Sequence, residues 1–192
     1  MFDLVAAGAA LLVLWPFLLA IAALVKLTSR GPAFFLQERL GRNATTFMAW
    51  KFRTMTDKPR VADTLYYTGD PSEVTLVGRF LRRTKLDELP QVFNVLRGEM
   101  SIVGPRPQLP KQLEEFNEDA KQRLRVRPGL TGLAQVNGNT ALTWPERWHY
   151  DAEYVRTLSF ILDCRILAKT IAVLLHGEER FTRKPPAKER PQ

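Results

Sequence analysis

One cysteine, Cys164, stands among 192 residues. A lone thiol excludes a disulfide framework and a Cys-rich metal site, and it leaves a reducing compartment open. Histidine is almost as scarce. His149 and His176 are too far apart to form a metal-binding pair on one helical face. The chain contains no Gly-x-x-x-x-Gly-Lys-Ser/Thr loop and no Gly-x-Gly-x-x-Gly, which argues against the P-loop and dinucleotide-binding classes. A Gly-x-Ser-x-Gly nucleophile elbow is also missing. Acidic charge is in deficit, with 20 Asp+Glu against 28 Lys+Arg and a formal charge of +8. That excess suits nucleic acid, an anionic membrane surface or phosphorylated substrates. Nucleic acid is the weakest of the three, because the aromatics are not set among the basic residues as in any known binding module.

Charge is nearly absent from the start of the chain, where Asp3 and Lys26 bracket the uncharged run Leu4 to Val25. About 20 apolar residues cross a hydrocarbon core of ~30 Å as one helix. The run lacks a basic n-region and is too long for a signal peptide. Pro16, near its middle, removes a backbone donor and clashes with the preceding turn. At ~1.5 Å per residue each half is only ~18–22 Å long, too short to span alone. Two arrangements follow, a kinked span and a re-entrant V that enters and leaves one leaflet. Lys26, Arg30, Arg39 and Arg42 follow the run and place that end in the cytoplasm under either arrangement.

Beyond the turn Ser29-Arg30-Gly31-Pro32, Ala33–Gln37 and Phe47–Met55 read as strands about a turn at Gly41-Arg42-Asn43. Alternation in the second strand puts Lys51 and Arg53 on one face. They are either solvated charges of an edge strand or two cations facing a phosphate. Thr56 to Ser72 reads as a loop. Val74 to Arg83 is helical, with an apolar stripe beside Arg79, Arg82 and Arg83, and suits either a core-facing helix or a membrane interface. Glu88 to Leu96 reads as a helix ended by Gly98, and Ser101 to Pro107 as a strand entering a rigid loop. Leu113 to Arg125 reads as helical, Arg127 to Gly132 as a turn-rich loop and Leu133 to Val136 as a strand. Asn137-Gly138-Asn139 turns the chain into helices over Glu146–Leu158 and Phe160–Leu175. The charged, Pro-rich stretch from Glu178 reads as a disordered tail. The fold class is α+β: a membrane segment over residues 1–28, a mostly helical catalytic domain with small β elements over 29–176, and a tail over 177–192.

Three features carry chemistry. The first is Leu86-Asp87-Glu88-Leu89-Pro90-Gln91, an acid pair between leucines with Arg79, Arg82, Arg83 and Lys85 before it and Arg97 and Arg106 after it. Acids in a first helical turn are ordinary caps. A carboxylate fixed by a proline-pinned turn among cations can instead be a nucleophile or a Mg2+ ligand. The second is Arg106 between Pro105 and Pro107, a stiff mount suited to bidentate phosphate binding. The third is Gly129 to Asn139, where glycines permit close backbone approach and Gln135 and Asn137 offer amide recognition. Carboxylates, arginines and a Mg2+ ion are the parts of phosphoryl transfer.

Lys51-Phe52-Arg53-Thr54-Met55, the Asp87-Glu88 stretch, Gly104-Pro105-Arg106-Pro107, Arg127-Pro128-Gly129-Leu130-Thr131-Gly132 and Ala134-Gln135-Val136-Asn137-Gly138 occur in that order, after an apolar start. The ordered set resembles the bacterial sugar transferases, monotopic polyprenyl-phosphate phosphoglycosyl transferases, in their small PglC-like form. The resemblance spans Phe2 to about Leu175. It implies attack by Asp87 on the β-phosphate of a UDP-sugar, loss of UMP, and transfer of the sugar phosphate from Asp87 to polyprenyl (undecaprenyl) phosphate. It implies Mg2+ held by Asp87 and Glu88, phosphate binding by Arg106 and a basic position at Arg82. It also implies the re-entrant V with its break near Pro16, and the cytoplasmic face of a bacterial inner membrane. Membrane lipid and a second copy of the chain are further expected partners. Two departures stand out. Trp15 precedes the proline where family members often have Ser, and Phe2-Asp3 directly follows Met1 where many have basic residues. The alternative function is a noncatalytic, membrane-anchored scaffold that binds anionic lipid.

Overall fold

The computed structural model describes residues 2–56 and 71–182. The chain forms two compact units. One comprises Met1–Glu38 and Met48–Gly98, the other Arg39–Phe47 and Glu99–Gln192. Most of the expected Thr56–Ser72 loop, and the tail beyond residue 182, lie outside the described residues. Where the tail is described, Glu178–Phe181 forms a short 3-10 turn.

The first unit begins with α1, Phe2–Thr28. Its 27 residues make a rod of ~40 Å, and it is long and apolar enough to cross a membrane. Helix runs through Pro16, so the division expected there does not appear as a gap in α1. Phe2, Leu4, Val5, Leu12, Val13, Trp15, Phe17 and Leu19 are exposed. Leu18 and Val25 are buried with Phe52 and Leu81, and this core is extended by Leu86, Leu89 and Phe93. Strands β1 (Phe34–Leu40) and β2 (Thr46–Phe52) pair across a 3-10 turn at Arg42–Ala44, where Asn43 and Ala44 take positive φ. The hairpin's tip falls in the second unit.

Helix α2, Leu76–Thr84, starts on Thr75, whose hydroxyl accepts the Gly78 N–H at 2.9 Å. Val77 and Leu81 face the core while Leu76 and Phe80 are exposed. α2 therefore serves the core and also leaves apolar surface uncovered. Lys85, left-handed at φ 59°, ends α2 and launches a 3-10 turn at Leu86–Gln91, which leads into α3, Val92–Leu96. The expected single helix from Glu88 is thus two short pieces. Gly98, at positive φ, follows as expected.

In the second unit β3 (Ser101–Val103) pairs in parallel with β4 (Gly129–Thr131), Ser101 opposite Gly129 and Val103 opposite Thr131. β4 lies within the stretch expected to be a turn-rich loop. The strand expected at Leu133–Val136 is instead the helix α5. A four-residue stretch has no resolvable period, and Val136 N–H closes a helical turn on Gly132 O at 3.1 Å. The expected helix from Leu113 to Arg125 is interrupted: 3-10 turns at Pro110–Glu115 and Arg123–Arg125 flank α4, Glu118–Gln122. Helix α6, Trp144–Thr157, opens with a reciprocal cap between Thr143 and Glu146. Helix α7 is Phe160–His176. Val103, Val136, Tyr154 and Ile166 form one core cluster, and Leu40, Phe116, Ala120 and Trp148 another.

Candidate active site

The acid pair stands on the 3-10 turn that follows α2, with Asp87 and Glu88 in its first turn and both half-buried. Leu86 and Leu89, on either side, pack into the core that α1 shares. The apolar helix and the acids are therefore built on one hydrophobic cluster. Asn94 locks the arrangement. It is fully buried, its Oδ1 accepts the Trp50 N–H at 3.0 Å, and its Nδ2 donates to Met48 O at 2.8 Å. One side chain thus clamps α3 to the backbone of β2. Lys51, on the same strand, reaches Glu88: Nζ lies 2.9 Å from Oε1, with both side chains 17% exposed. Between solvent and full burial, such a pair keeps part of its attraction without the full desolvation cost. Trp50 adds edge contacts with Phe34 and Phe93, and the Arg97 guanidinium lies over its ring.

The other basic residues expected near the acids are differently engaged. Arg53 is buried, and its NH2 donates to both Ser29 O and Ser29 Oγ at 2.8 Å, just past the C-terminal end of α1. A cation there complements the helix dipole. Arg82 turns its Nε to Thr54 Oγ1 at 2.9 Å. Thr54 and α2 meet backbone to backbone: a Cβ on Gly78 would lie 1.9 Å from Thr54 O. Lys51 and Arg53 are thus not the solvated charges of an edge strand.

Arg106 belongs to the second unit, half-buried on a loop between Pro105 and Pro107. Three glycines from two motifs meet next to this loop. A Cβ on Gly129 would sit 2.1 Å from Gly104 N, and one on Gly132 would sit 2.2 Å from Gly104 O. The close approach expected of these glycines is made to other backbone. The candidate amides also serve the fold. Gln135 Nε2 donates to Leu130 O at 3.1 Å. Asn137 is buried, its Nδ2 donating to Leu133 O at 2.8 Å and its Oδ1 accepting from Lys169 Nζ at 2.6 Å.

A family model described as bacterial sugar transferase matches residues 1–177. The chain belongs to the bacterial sugar transferase family. The transferase is 41% identical over 186 residues to the exopolysaccharide production protein ExoY of Rhizobium meliloti, covering 88% of this chain and 82% of ExoY. It is 40% identical over 192 residues to the uncharacterized sugar transferase EpsL of Bacillus subtilis, covering 95% and 94%. It is 42% identical over 177 residues to the UDP-glucose:undecaprenyl-phosphate glucose-1-phosphate transferase of Escherichia coli, covering 88% of this chain and 38% of that longer protein.

Among the described residues no cluster of three or more His, Cys, Asp or Glu could hold a metal by itself. Mg2+ keeps several waters and needs only one or two carboxylates when substrate phosphates complete its shell. Asp87 and Glu88, adjacent on the 3-10 turn, are two carboxylates that would fit such an ion. Sequence reasoning passed over Asn94, whose identity gives no sign of its two backbone contacts. It also passed over Arg123 and Asp151, a buried pair at 3.1 Å in the second unit. Burial pushes the Asp151 carboxyl up to about 6, against the pull of Arg123 and Arg147. Burial likewise lowers the Arg123 guanidinium, with Asp151 opposing. Only the Thr143–Glu146 cap had a legible signature, Thr-x-x-Glu ahead of a helix.

Proposed function

We propose that the transferase moves a sugar 1-phosphate from a UDP-sugar to undecaprenyl phosphate, with Asp87 as nucleophile. The observation that carries this reading is the placement of Asp87 and Glu88. They stand on a fixed turn whose flanking leucines share a core with the apolar helix α1. The arrangement suits an acid that must meet a soluble donor and a lipid acceptor in turn. Asp87 Oδ attacks the β-phosphorus, forming an acyl phosphate and breaking the bond to the UMP oxygen. The acceptor's phosphate oxygen then attacks the same phosphorus, and Asp87 leaves as the free carboxylate. Lys51 holds Glu88 through Oε1, which orients the second carboxylate beside the nucleophile. Asp87 and Glu88 would hold Mg2+ together with the donor's diphosphate, and the ion supplies charge neutralisation there. Arg106 serves as a phosphate ligand. Glucose is the first sugar to test, because it is the one in the relative's name.

The catalytic face is cytoplasmic in this reading, set by Lys26 and Arg30 beyond α1. α1 re-enters by bending at Pro16 within continuous helix, and the exposed Leu76 and Phe80 of α2, beside Arg79 and Arg83, rest in the interface. The test is Asp87→Asn in membranes supplied with UDP-glucose and undecaprenyl phosphate, reading UMP. We expect release to fall at least ~10³-fold. Wild-type turnover in Asp87→Asn would remove the nucleophile assignment. Salt-sensitive vesicle binding without UMP release from any UDP-sugar by the wild type would favour the scaffold reading.

A further inference from the structure

The Arg106 loop is held in a way that points to one residue outside it. Pro105 and Pro107 have no N–H to give, yet each carbonyl from Pro105 to Gln108 accepts a hydrogen bond. Gly129 N–H donates to Pro105 O at 2.9 Å, and Leu40 N–H donates to Gln108 O at 2.8 Å. Arg39 NH1 donates to Pro107 O at 3.2 Å. The carbonyl of Arg106 itself accepts from Arg123 NH2.

Arg123 is 5% exposed and comes from the 3-10 turn after α4. The same NH2 faces Asp151 Oδ2 at 3.1 Å, and the guanidinium lies 5.8 Å from the Phe116 ring centre. Its NH1 has no hydrogen-bond partner among the described residues. Burying two charges costs about as much as their attraction returns, and apolar residues of similar size often do as well. Stability is therefore a weak reason for this pair. The pair does place a charged, directional donor on the carbonyl of the residue whose side chain is to bind phosphate. Pro107 already restricts ψ at Arg106. A charged donor on the following carbonyl then fixes the peptide plane, and with it the direction in which the Arg106 side chain leaves the loop. The pocket beside this contact, lined by Leu40, Pro105, Phe116, Arg123, Leu124 and Pro128 among others, has a volume of about 10 Å³. That is room for a single water. With its side chain buried and its NH2 on the Arg106 carbonyl, Arg123 acts through the loop.

We propose that Arg123, backed by Asp151, is a positioning residue that aims the Arg106 guanidinium at a substrate phosphate. The inference rests on the reading of Arg106 as a phosphate ligand. The test is a double-mutant cycle in the full membrane-bound chain, measuring kcat and KM for UDP-glucose by UMP release, with thermal unfolding alongside. Arg123→Lys keeps a charge opposite Asp151 but loses the planar fork. The pair Arg123→Met with Asp151→Leu removes both charges and leaves neither stranded. Each is expected to raise KM about tenfold with kcat less affected. In an Arg106→Ala background each is expected to cost nothing further. Losses that multiply with Arg106→Ala would overturn the proposal, as would activity that falls only in step with the folded fraction. If the neutral pair fails to fold, Arg123→Lys decides by the same cycle. Full activity in Arg106→Ala would instead overturn the reading of Arg106, and the positioning role with it. A wild type that releases no UMP from any UDP-sugar would fail at the level of the function itself.

Discussion

In the first unit Asp87 and Glu88 stand on a turn held by side chains: Asn94 on the backbone of β2, Lys51 on Glu88, and leucines in the core of α1. In the second unit Arg106 stands on a loop held at its carbonyls and packed on Gly104, Gly129 and Gly132. A turn pinned by side chains can yield by a rotamer. A loop that also packs backbone against backbone at three glycines has less such freedom, even though Arg39 and Arg123 hold two of its carbonyls by side chains. Under the proposed mechanism the difference would suit the two tasks, since the nucleophile would serve two phosphoryl transfers in succession, whereas a phosphate ligand works best when it is already in place.

That contrast can be broken at its strongest point with Gly129→Ala. The new Cβ would meet Gly104 N at 2.1 Å and Thr131 O at 2.6 Å, both backbone atoms. We expect a stability loss of about 4 kcal/mol or more, read as a failure to accumulate folded protein or a large fall in Tm. A variant near wild type would show that the loop has the slack denied to it here. The first unit has a comparable glycine contact at Gly78 against Thr54, but it lies under α2 rather than on the dyad turn.

Asn94→Ala asks the matching question of the first unit. It leaves the Trp50 N–H and Met48 O without their partner, at a cost of about 2–3 kcal/mol. We expect kcat to fall more than the stability change alone explains, because the dyad turn loosens. A stability loss with unchanged kcat would show that the clamp does not reach the acids.

The smallest effect is in pH, and it reports on the buried pair of the second unit. The folded Asp151 carboxyl titrates near 6, against an ordinary value of 3.8. The folded state therefore binds the proton more tightly than the unfolded chain. The stability this contributes is fully present below about pH 4 and is lost as pH rises through 6. Comparing Tm between wild type and Asp151→Asn from pH 4 to pH 7, we expect the wild type to lose ground as pH rises. Parallel profiles would remove Asp151 as the source.

Much of this was readable in the residues, for reasons that differ by element. The apolar run of α1 and the helices α6 and α7 declare themselves through length and period. The motifs Leu86–Gln91 and Gly104–Pro107 stand out as candidate sites because rigid residues flank reactive ones. What stayed hidden was settled by contacts that residue type does not announce. Leu133–Val136 is too short to carry a period, and it folds as helix. Arg53 reads as either a solvated edge charge or a cation facing phosphate, and its NH2 is turned to Ser29. Gln135 and Asn137 looked like recognition amides, and their hydrogen bonds run to Leu130, Leu133 and Lys169. Arg123 and Asp151 gave no local sign at all.

Arg39 reaches the carbonyl of Pro107 across 68 positions of sequence. Neither unit is one continuous piece of chain. As the ribosome extends the chain, the tip of the β1–β2 hairpin emerges before the whole of Met48–Gly98, and the carbonyls that receive Leu40 and Arg39 emerge only afterwards. The second unit cannot close until that loop is out. A nascent chain halted short of Gln108 therefore already carries its apolar helix and its acid pair, with the mount for Arg106 still unmade.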